Sequence, residues 1–237
     1  MEDGTTRRQH VIPHSPTSSL AAMIESSSGI IMRTRPLTET SLIVHWLTPE
    51  LGRVATVAKG ARRPKSPFAG KLDIFYEADF SFSRSRSSEL HNLREVKQRE
   101  TRAAIRTDLG KLQQAAYAAA FIEQATETET PLPEVYQLVG GFWEWLCAHE
   151  VPTPGIFALE LKLLHTLGLE PAMEQTRLTP GAKKIATALM EGDWNTSARL
   201  QLSAAQSQEI SQWLHDFLIS HLGRLPRGRT TALAPGR

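Results

Sequence analysis

An α+β protein, in which a small five-stranded β-barrel leads into an all-α domain, is what the order of periodicities in this 237-residue sequence predicts. Three observations carry that reading. Apolar residues recur with a period of two in short segments between Gly29 and Gln98, and at every third or fourth position from Thr107 to Leu222. Charge follows the same division: residues 29–111 hold 16 Lys and Arg against 9 Asp and Glu, whereas residues 112–222 hold 5 against 13. A basic front on an acidic back suggests two domains facing different partners. Finally, five short strands in about seventy residues, with the long connection between the third and fourth, fit a small barrel.

Residues 1–28 are polar and broken by Pro13 and Pro16, so they are expected to form a disordered extension. Met23, within it, is a second candidate start beside Met1. Ile30–Arg35 reads as the first strand, ending near Pro36, and the apolar run Ser41–Leu47 as a second, buried on both faces. Thr48–Gly52 has the composition of a hairpin turn, and Arg53–Ala58 returns from it. After a basic connection, Ile74, Tyr76, Ala78, Phe80 and Phe82 alternate with Phe75, Glu77, Asp79, Ser81 and Ser83. That alternation predicts a strand with one apolar and one mainly polar face. Ser83–Ser88 is a polar turn before a weaker strand, Leu90–Val96. Residues 29–98 thus outline an oligonucleotide-binding (OB) type barrel, with an SH3-like barrel as the alternative that strand count does not separate.

Residues 99–223 read as helical. Thr107-Asp108 can cap a helix through Ala125, with Leu109, Leu112, Ala116, Ala119 and Ile122 along one side. Glu134–His149 places Val135, Leu138, Val139, Phe142 and Leu146 on one stripe. Val151–Pro154 is a break, and Gly155–Leu167 is apolar enough to be a central helix ended by Gly168. A shorter helix follows from Pro180 to Met190, and a last one runs from Ala204 to Leu222. Residues 224–237, with four arginines and no acid, are expected to be a basic flexible tail.

Catalytic motifs are missing: the sequence has no phosphate-cradling GxxxxGK[ST], no HExxH and no Gly-x-Ser-x-Gly elbow. His45 and His165 lie in apolar segments and read as satisfied structural residues. Asp73, Glu77 and Asp79 would make a metal cluster only if they converged, and the polar strand face explains Glu77 and Asp79 without one. Cys147, the sole cysteine, excludes an intrachain disulfide and any multi-cysteine zinc site. The composition fits a reducing cytoplasm, and no apolar run reaches the roughly 18–20 residues that span a bilayer.

Binding residues are abundant. Arg53, Lys59, Arg62, Arg63 and Lys65 fall within thirteen residues that contain no acid. Gly60, Pro64 and Pro67 keep this stretch out of helix, so it is expected to project as a basic arm suited to successive phosphates. A solvated connecting loop has the same composition. OB-type barrels hold single strands with a basic groove and exposed aromatics. Arg35, Lys71, Arg84 and Arg86 extend the phosphate-binding set, and Phe68 and Phe75 are candidate base stackers. The alternatives are that Phe68 pins the loop to the barrel and Phe75 packs on the helical domain. Trp143 and Trp145 read as core or domain-interface residues.

Three stretches resemble the RecO recombination mediator family. They are Gly29–Gly70 (GIIMRTRPLTETSLIVHWLTPELGRVATVAKGARRPKSPFAG), Glu160–Pro171 (ELKLLHTLGLEP) and Phe217–Gly228 (FLISHLGRLPRG). The resemblance implies an OB barrel joined to a helical domain, with no catalytic activity and no cofactor. It further implies binding of single- and double-stranded DNA, annealing of complementary strands, and help in loading recombinase onto strands coated with single-strand-binding protein, in the cytoplasm at the nucleoid. RecR and the acidic C-terminal tail of single-strand-binding protein are the implied partners. Cations at a groove rim would receive that tail, and Lys162, Lys183, Lys184, Arg199 and Arg224 are the candidates. Many family members carry a four-cysteine zinc module after the central helix; here Ala172–Thr179 is short and has no cysteine, so a zinc-free variant is expected. The competing reading is an adaptor whose basic loop docks an acidic protein.

Overall fold

A computed structural model describes residues 23–150 and 154–234. Strands β1 (Ile24–Pro36), β2 (Leu42–Thr48), β3 (Gly52–Ala58), β4 (Glu77–Ser83) and β5 (Leu90–Glu100) close into a barrel in the order β1-β2-β3-β5-β4. Among the pairings of these five strands only β3–β5 is parallel. This is an OB-type barrel, and with the helices that follow the protein is α+β. β1 serves two neighbours. Its first half runs against β4, from Ile24 opposite Ser83 to Ile30 opposite Glu77, and its second half against β2. A bulge between Ile31 and Arg33 supplies the bend.

β1 therefore begins inside the segment that composition assigns to a disordered extension. Ser26, Ser27 and Ser28 carry no apolar signal, but strand pairing is made by backbone groups, and β4 supplies partners for them. Residues 1–22 of that extension lie outside the described residues.

Two apolar cores follow from the pleat. Inside the barrel, Trp46 stacks on Phe80 at 4.1 Å, and its indole N–H donates to Thr56 Oγ1 at 2.8 Å. The larger core lies among the helices, and Ile30, Met32, Leu47 and Phe75 join it from the barrel. Phe75 breaks the expected strand: β4 starts only at Glu77, because Phe75 takes φ 67° and turns its ring to 5.0 Å from Trp143. Arg102, itself at φ 47°, donates to the Phe75 carbonyl at 3.1 Å. Two non-glycine residues in the left-handed region, each costly alone, are held by the junction between barrel and helices. Phe75 is thus a packing residue and unavailable for base stacking.

The helical part comprises α1 (Ala103–Arg106), α2 (Leu109–Ala125), α3 (Pro133–Ala148), α4 (Pro154–Thr166), α5 (Pro180–Glu191), α6 (Trp194–Arg199), α7 (Ala204–Leu222) and α8 (Arg229–Leu233). Asp108 caps α2 as its spacing suggests, accepting from the Lys111 N–H at 2.9 Å. Ser203 and Gln206 form a reciprocal capping box on α7. α4 is the buried central helix, closed by the Leu169 N–H donating to the Leu164 carbonyl at 2.8 Å. Of the expected break before it, residues 151–153 lie outside the described residues. The short helices α1, α6 and α8 are additions. α8 overturns the expected flexible tail: Arg229 is buried, and its guanidinium grips the fully buried Glu160 at 2.7 and 2.9 Å. Residues 235–237 lie outside the described residues.

Candidate nucleic-acid interface

The end of β1, the start of β2 and the end of β3 meet at one end of the barrel, because Pro36 pairs with Leu42 and Leu42 with Ala58. The basic connection departs from there. It does not project as an arm; it folds back over the barrel end as a chain of tight turns. The N–H groups of Arg63, Ser66 and Ala69 donate to the carbonyls of Gly60, Arg63 and Ser66 at 3.0–3.1 Å. Phe68 plugs into the barrel core, so it pins the loop and is not a stacker. The Arg62 N–H donates to the Thr40 carbonyl at 3.0 Å, tying this lid to the β1–β2 turn. The side chains of Lys59, Arg62, Arg63 and Lys65 remain exposed on its outside, and Lys71 is half-buried at its base. Sequence brings these cations together, and the fold holds them in place.

Two of the expected DNA-contacting arginines are engaged elsewhere. Arg53 Nε and Nη2 donate to Thr126 Oγ1 at 2.9 Å and to its carbonyl at 2.6 Å. Burial lowers its pKa, with Arg33 adding to the effect and Glu123 opposing it. Arg84 makes a bidentate pair with Glu25 at 2.6 and 2.9 Å and reaches Glu129 at 2.9 Å. The hydrogen bonds to Arg84 lower the Glu25 pKa. Glu129 also meets the buried His91 Nε2 at 2.8 Å. Because His91 Nδ1 accepts from the Ser85 N–H at 3.3 Å, the proton sits on Nε2, which donates to the carboxylate. These residues stitch the α2–α3 connection to the barrel. Both arginines read as ordinary surface cations in sequence, since their partners lie 73 and 59 positions away. Arg86 stays exposed on the β4–β5 turn, and Arg35 stays exposed at the end of β1 with no partner among the described residues.

Between the outer barrel face and the α2–α3 region lies a cleft of about 330 Å³, lined by Arg33, Arg35, His45, Ala55, Leu90 and Glu123 among others. Arg33 Nε approaches Glu123 Oε1 at 3.3 Å. His45 is not the satisfied residue that its strand suggests: its Nε2 is buried without a hydrogen-bond partner. Desolvation, with Arg33, Arg35 and Arg53 nearby, pushes its pKa down to about 4, so the ring is neutral at pH 7.

Among the expected partner cations, Lys162 is half-buried and engaged by backbone. Its Nζ donates to the Met190 carbonyl at 3.0 Å and to the Gly192 carbonyl, capping the end of α5 beneath Trp194. Burial lowers its pKa. Lys183 reaches the Glu174 carbonyl at 3.4 Å, while Lys184, Arg199 and Arg224 are exposed. His165 is exposed and pairs with Glu170. Asp73, Glu77 and Asp79 do not converge: they face Arg106, Arg102 and Arg99 respectively. Among the described residues no helix is long and apolar enough to cross a membrane.

Two family models match the chain, recombination protein O N terminal over residues 23–102 and recombination protein O C terminal over residues 106–177, together more than half of it. The DNA repair protein RecO of Alkaliphilus metalliredigens is 29% identical over 150 residues, 63% of this chain and 60% of its own length. Its namesake from Bacillus subtilis is 29% identical over 151 residues, 64% of this chain and 58% of its own length. That of Rhodopirellula baltica is 30% identical over 147 residues, 62% and 54% respectively. The chain thus spans less than two thirds of the length of these curated relatives.

Proposed function

This chain belongs to the RecO family, and from that premise we propose that it is a non-catalytic DNA-binding protein of recombinational repair. It holds single- and double-stranded DNA by the phosphate backbone, anneals complementary strands, and assists recombinase loading onto strands coated with single-strand-binding protein. The observation that carries this reading is the lid: Lys59, Arg62, Arg63 and Lys65 are exposed on a loop anchored by Phe68 and by the Arg62 to Thr40 hydrogen bond. An anchored loop loses little conformational entropy on binding, so its cations act on phosphates at low cost. Phosphate contacts carry little base information, in keeping with a protein that must accept any strand.

The test is a salt titration of strand binding by the wild type and by a variant with Arg62→Ala, Arg63→Ala and Lys65→Ala. Affinity for single strands and duplex should fall together. The log–log salt slope on single strands should become shallower by roughly 2, at about 0.7 per phosphate contact. Folding, followed by circular dichroism, should change little, because exposed charges contribute little to stability. An unchanged slope in a folded variant would leave the loop a connector and favour the adaptor reading.

For partners, the acidic tail of single-strand-binding protein needs an apolar groove with a cation at its rim, and RecR a further surface. A groove of about 680 Å³ between residues 175–178 and α7 supports the former, with Leu178 and Trp213 in its wall. Arg177 is the cation that lines this groove, beside the carboxylates of Glu209 and Asp216, and it joins the candidates; Lys183, Lys184, Arg199 and Arg224 remain candidates outside the groove lining, and Lys162 leaves the group.

A further inference from the structure

The first half of β1 carries an edge that the barrel does not close. The Arg84 N–H donates to the Met23 carbonyl at 3.3 Å, and Ile31 gives its N–H to the Tyr76 carbonyl and accepts the Phe75 N–H, both at 2.8 Å. In an antiparallel pair the N–H and C=O of one residue point the same way, and successive residues alternate. The odd-numbered residues from Met23 to Ile31 therefore face β4, and Ile24, Ser26 and Ser28 turn their backbone groups to the other side. There β2 pairs with β1 only from Ile30 onward. Among the described residues, the one hydrogen-bond partner of this edge is the Ser27 hydroxyl, 3.1 Å from the Ser28 carbonyl.

Open edges are normally blunted by lysine, proline or a bulge. None stands between Ile24 and Gly29, and the bulge of β1 comes later, beyond Ile31. Ile24, Ser26 and Ser28 lie on the outer face of the barrel, with Ser26 opposite Ser81 and Ser28 opposite Asp79 of β4. The small hydroxyls there leave a trough of about 500 Å³. Its charged residues, Asp79, Glu95, Lys97 and Arg99, stand on β4 and β5, one and two strands in from the edge. At the edge itself the outer side chains are uncharged, and Ile24 is 65% exposed. On the inner face, Glu25 is held by Arg84.

Such an edge is complementary to itself. With a two-fold axis at Ser26, Ile24 comes opposite the second copy's Ser28, and Ser26 opposite its own equivalent. Every outward N–H and C=O then finds a partner, and each Ile24 is covered at the rim of the other copy's trough. Glu25 comes opposite Ser27 and not another acid. Glu50, which reaches the Ser27 hydroxyl at 3.4 Å, would meet a Glu25 whose charge Arg84 already offsets. Any extended segment could use the backbone groups, but Ile24, Ser26 and Ser28 offer an acidic or basic one no opposite charge. The side chains favour a second copy.

We propose that two copies of this chain pair through this edge, joining their barrels in one antiparallel sheet across β1. The contact is isologous, so it closes at two copies. It lies at the far end of β1 from Pro36, where the lid departs, and both lids stay open. The pairing does not rest on DNA binding. It adds to that reading a dimer with two separate phosphate-binding lids, one for each of two strands.

The experiment follows the mass of the full chain by sedimentation equilibrium across a concentration series. The wild type should pass from monomer to dimer between micromolar and millimolar concentration, as suits a small contact, with no larger species. Ser26→Lys and Ser26→Glu alter an exposed side chain and set two like charges across the axis. Each should weaken self-association at least about tenfold. Mixed in equal amounts, the two variants should associate at least as well as the wild type, because the facing charges are then opposite. Circular dichroism checks that both are folded. A wild type that stays monomeric throughout overturns the proposal and leaves the edge to residues 1–22 or to a foreign strand. A dimer that both variants leave unchanged overturns it too, as does a loss that mixing fails to restore. The salt titration of strand binding reads the lid separately, so either reading can fail while the other stands.

Discussion

The largest departure from expectation at single residues is Arg229. In sequence it belongs to a string of tail arginines; in the fold it is 5% exposed and clamped on Glu160, which is fully buried and also accepts from the Tyr117 hydroxyl at 2.5 Å. Burial pulls the Arg229 pKa down, but the hydrogen bonds and charge of Glu160 outweigh it, and the net shift is upward. Burial and the same carboxylate hold Tyr117 well above its ordinary range. Removing one partner of a buried pair strands the other charge. Arg229→Ala should therefore cost about 3–5 kcal/mol, read as a lower midpoint in urea. Arg229→Met combined with Glu160→Leu should recover part of that loss, because no charge is left buried, although the buried Tyr117 hydroxyl loses its acceptor. A midpoint unchanged by Arg229→Ala would show that α8 detaches freely.

Among elements, the α2–α3 connection does more than join two helices. It lies along β3, where the Glu129 N–H donates to the Arg53 carbonyl at 2.9 Å, and it forms one wall of the cleft. Gly52, opening β3 at φ 67°, permits this approach: a Cβ there would fall 1.9 Å from the Thr130 carbonyl oxygen. Gly70 has a similar φ of 71° with nothing within 4 Å, so it isolates the backbone term. Gly70→Ala should cost about 1–3 kcal/mol from the left-handed conformation alone, whereas Gly52→Ala should cost clearly more and raise protease sensitivity at residues 126–131. Equal midpoints for the two variants would mean that the connection yields without resistance.

At the scale of the whole molecule, barrel and helices meet in the larger of the two cores. Ile30, Met32, Leu47 and Phe75 are buried with the residues of α2, α3 and α4, and Arg102 bridges Phe75 and Glu77 at the junction. Calorimetry should accordingly give one cooperative unfolding transition for the intact chain; two resolved transitions would show that the barrel and helices melt independently. The shared core also holds Glu123 and Glu129 at the strand face of the barrel, while Lys59, Arg62, Arg63 and Lys65 stand exposed at the lid end.

The sequence by itself determined the fold class, the order of strands and long helices, the cap at Asp108, and the concentration of cations after β3. Each of these is set by neighbours in the chain: alternation, helical spacing, capping residues and local charge. Tertiary structure decided the rest. Arg53 and Arg84 were indistinguishable in sequence from Arg62 and Arg63, and only partners far along the chain engage them within the fold while Arg62 and Arg63 stay exposed. Phe68 and Phe75 were placed by which core lay nearest, and the polar start of β1 by the backbone of β4. The cleft has no sequence signature, because its floor draws one residue from each of four strands and its roof comes from the helical domain. Distance in space, not proximity in sequence, selects which charges are neutralised and which remain for a ligand.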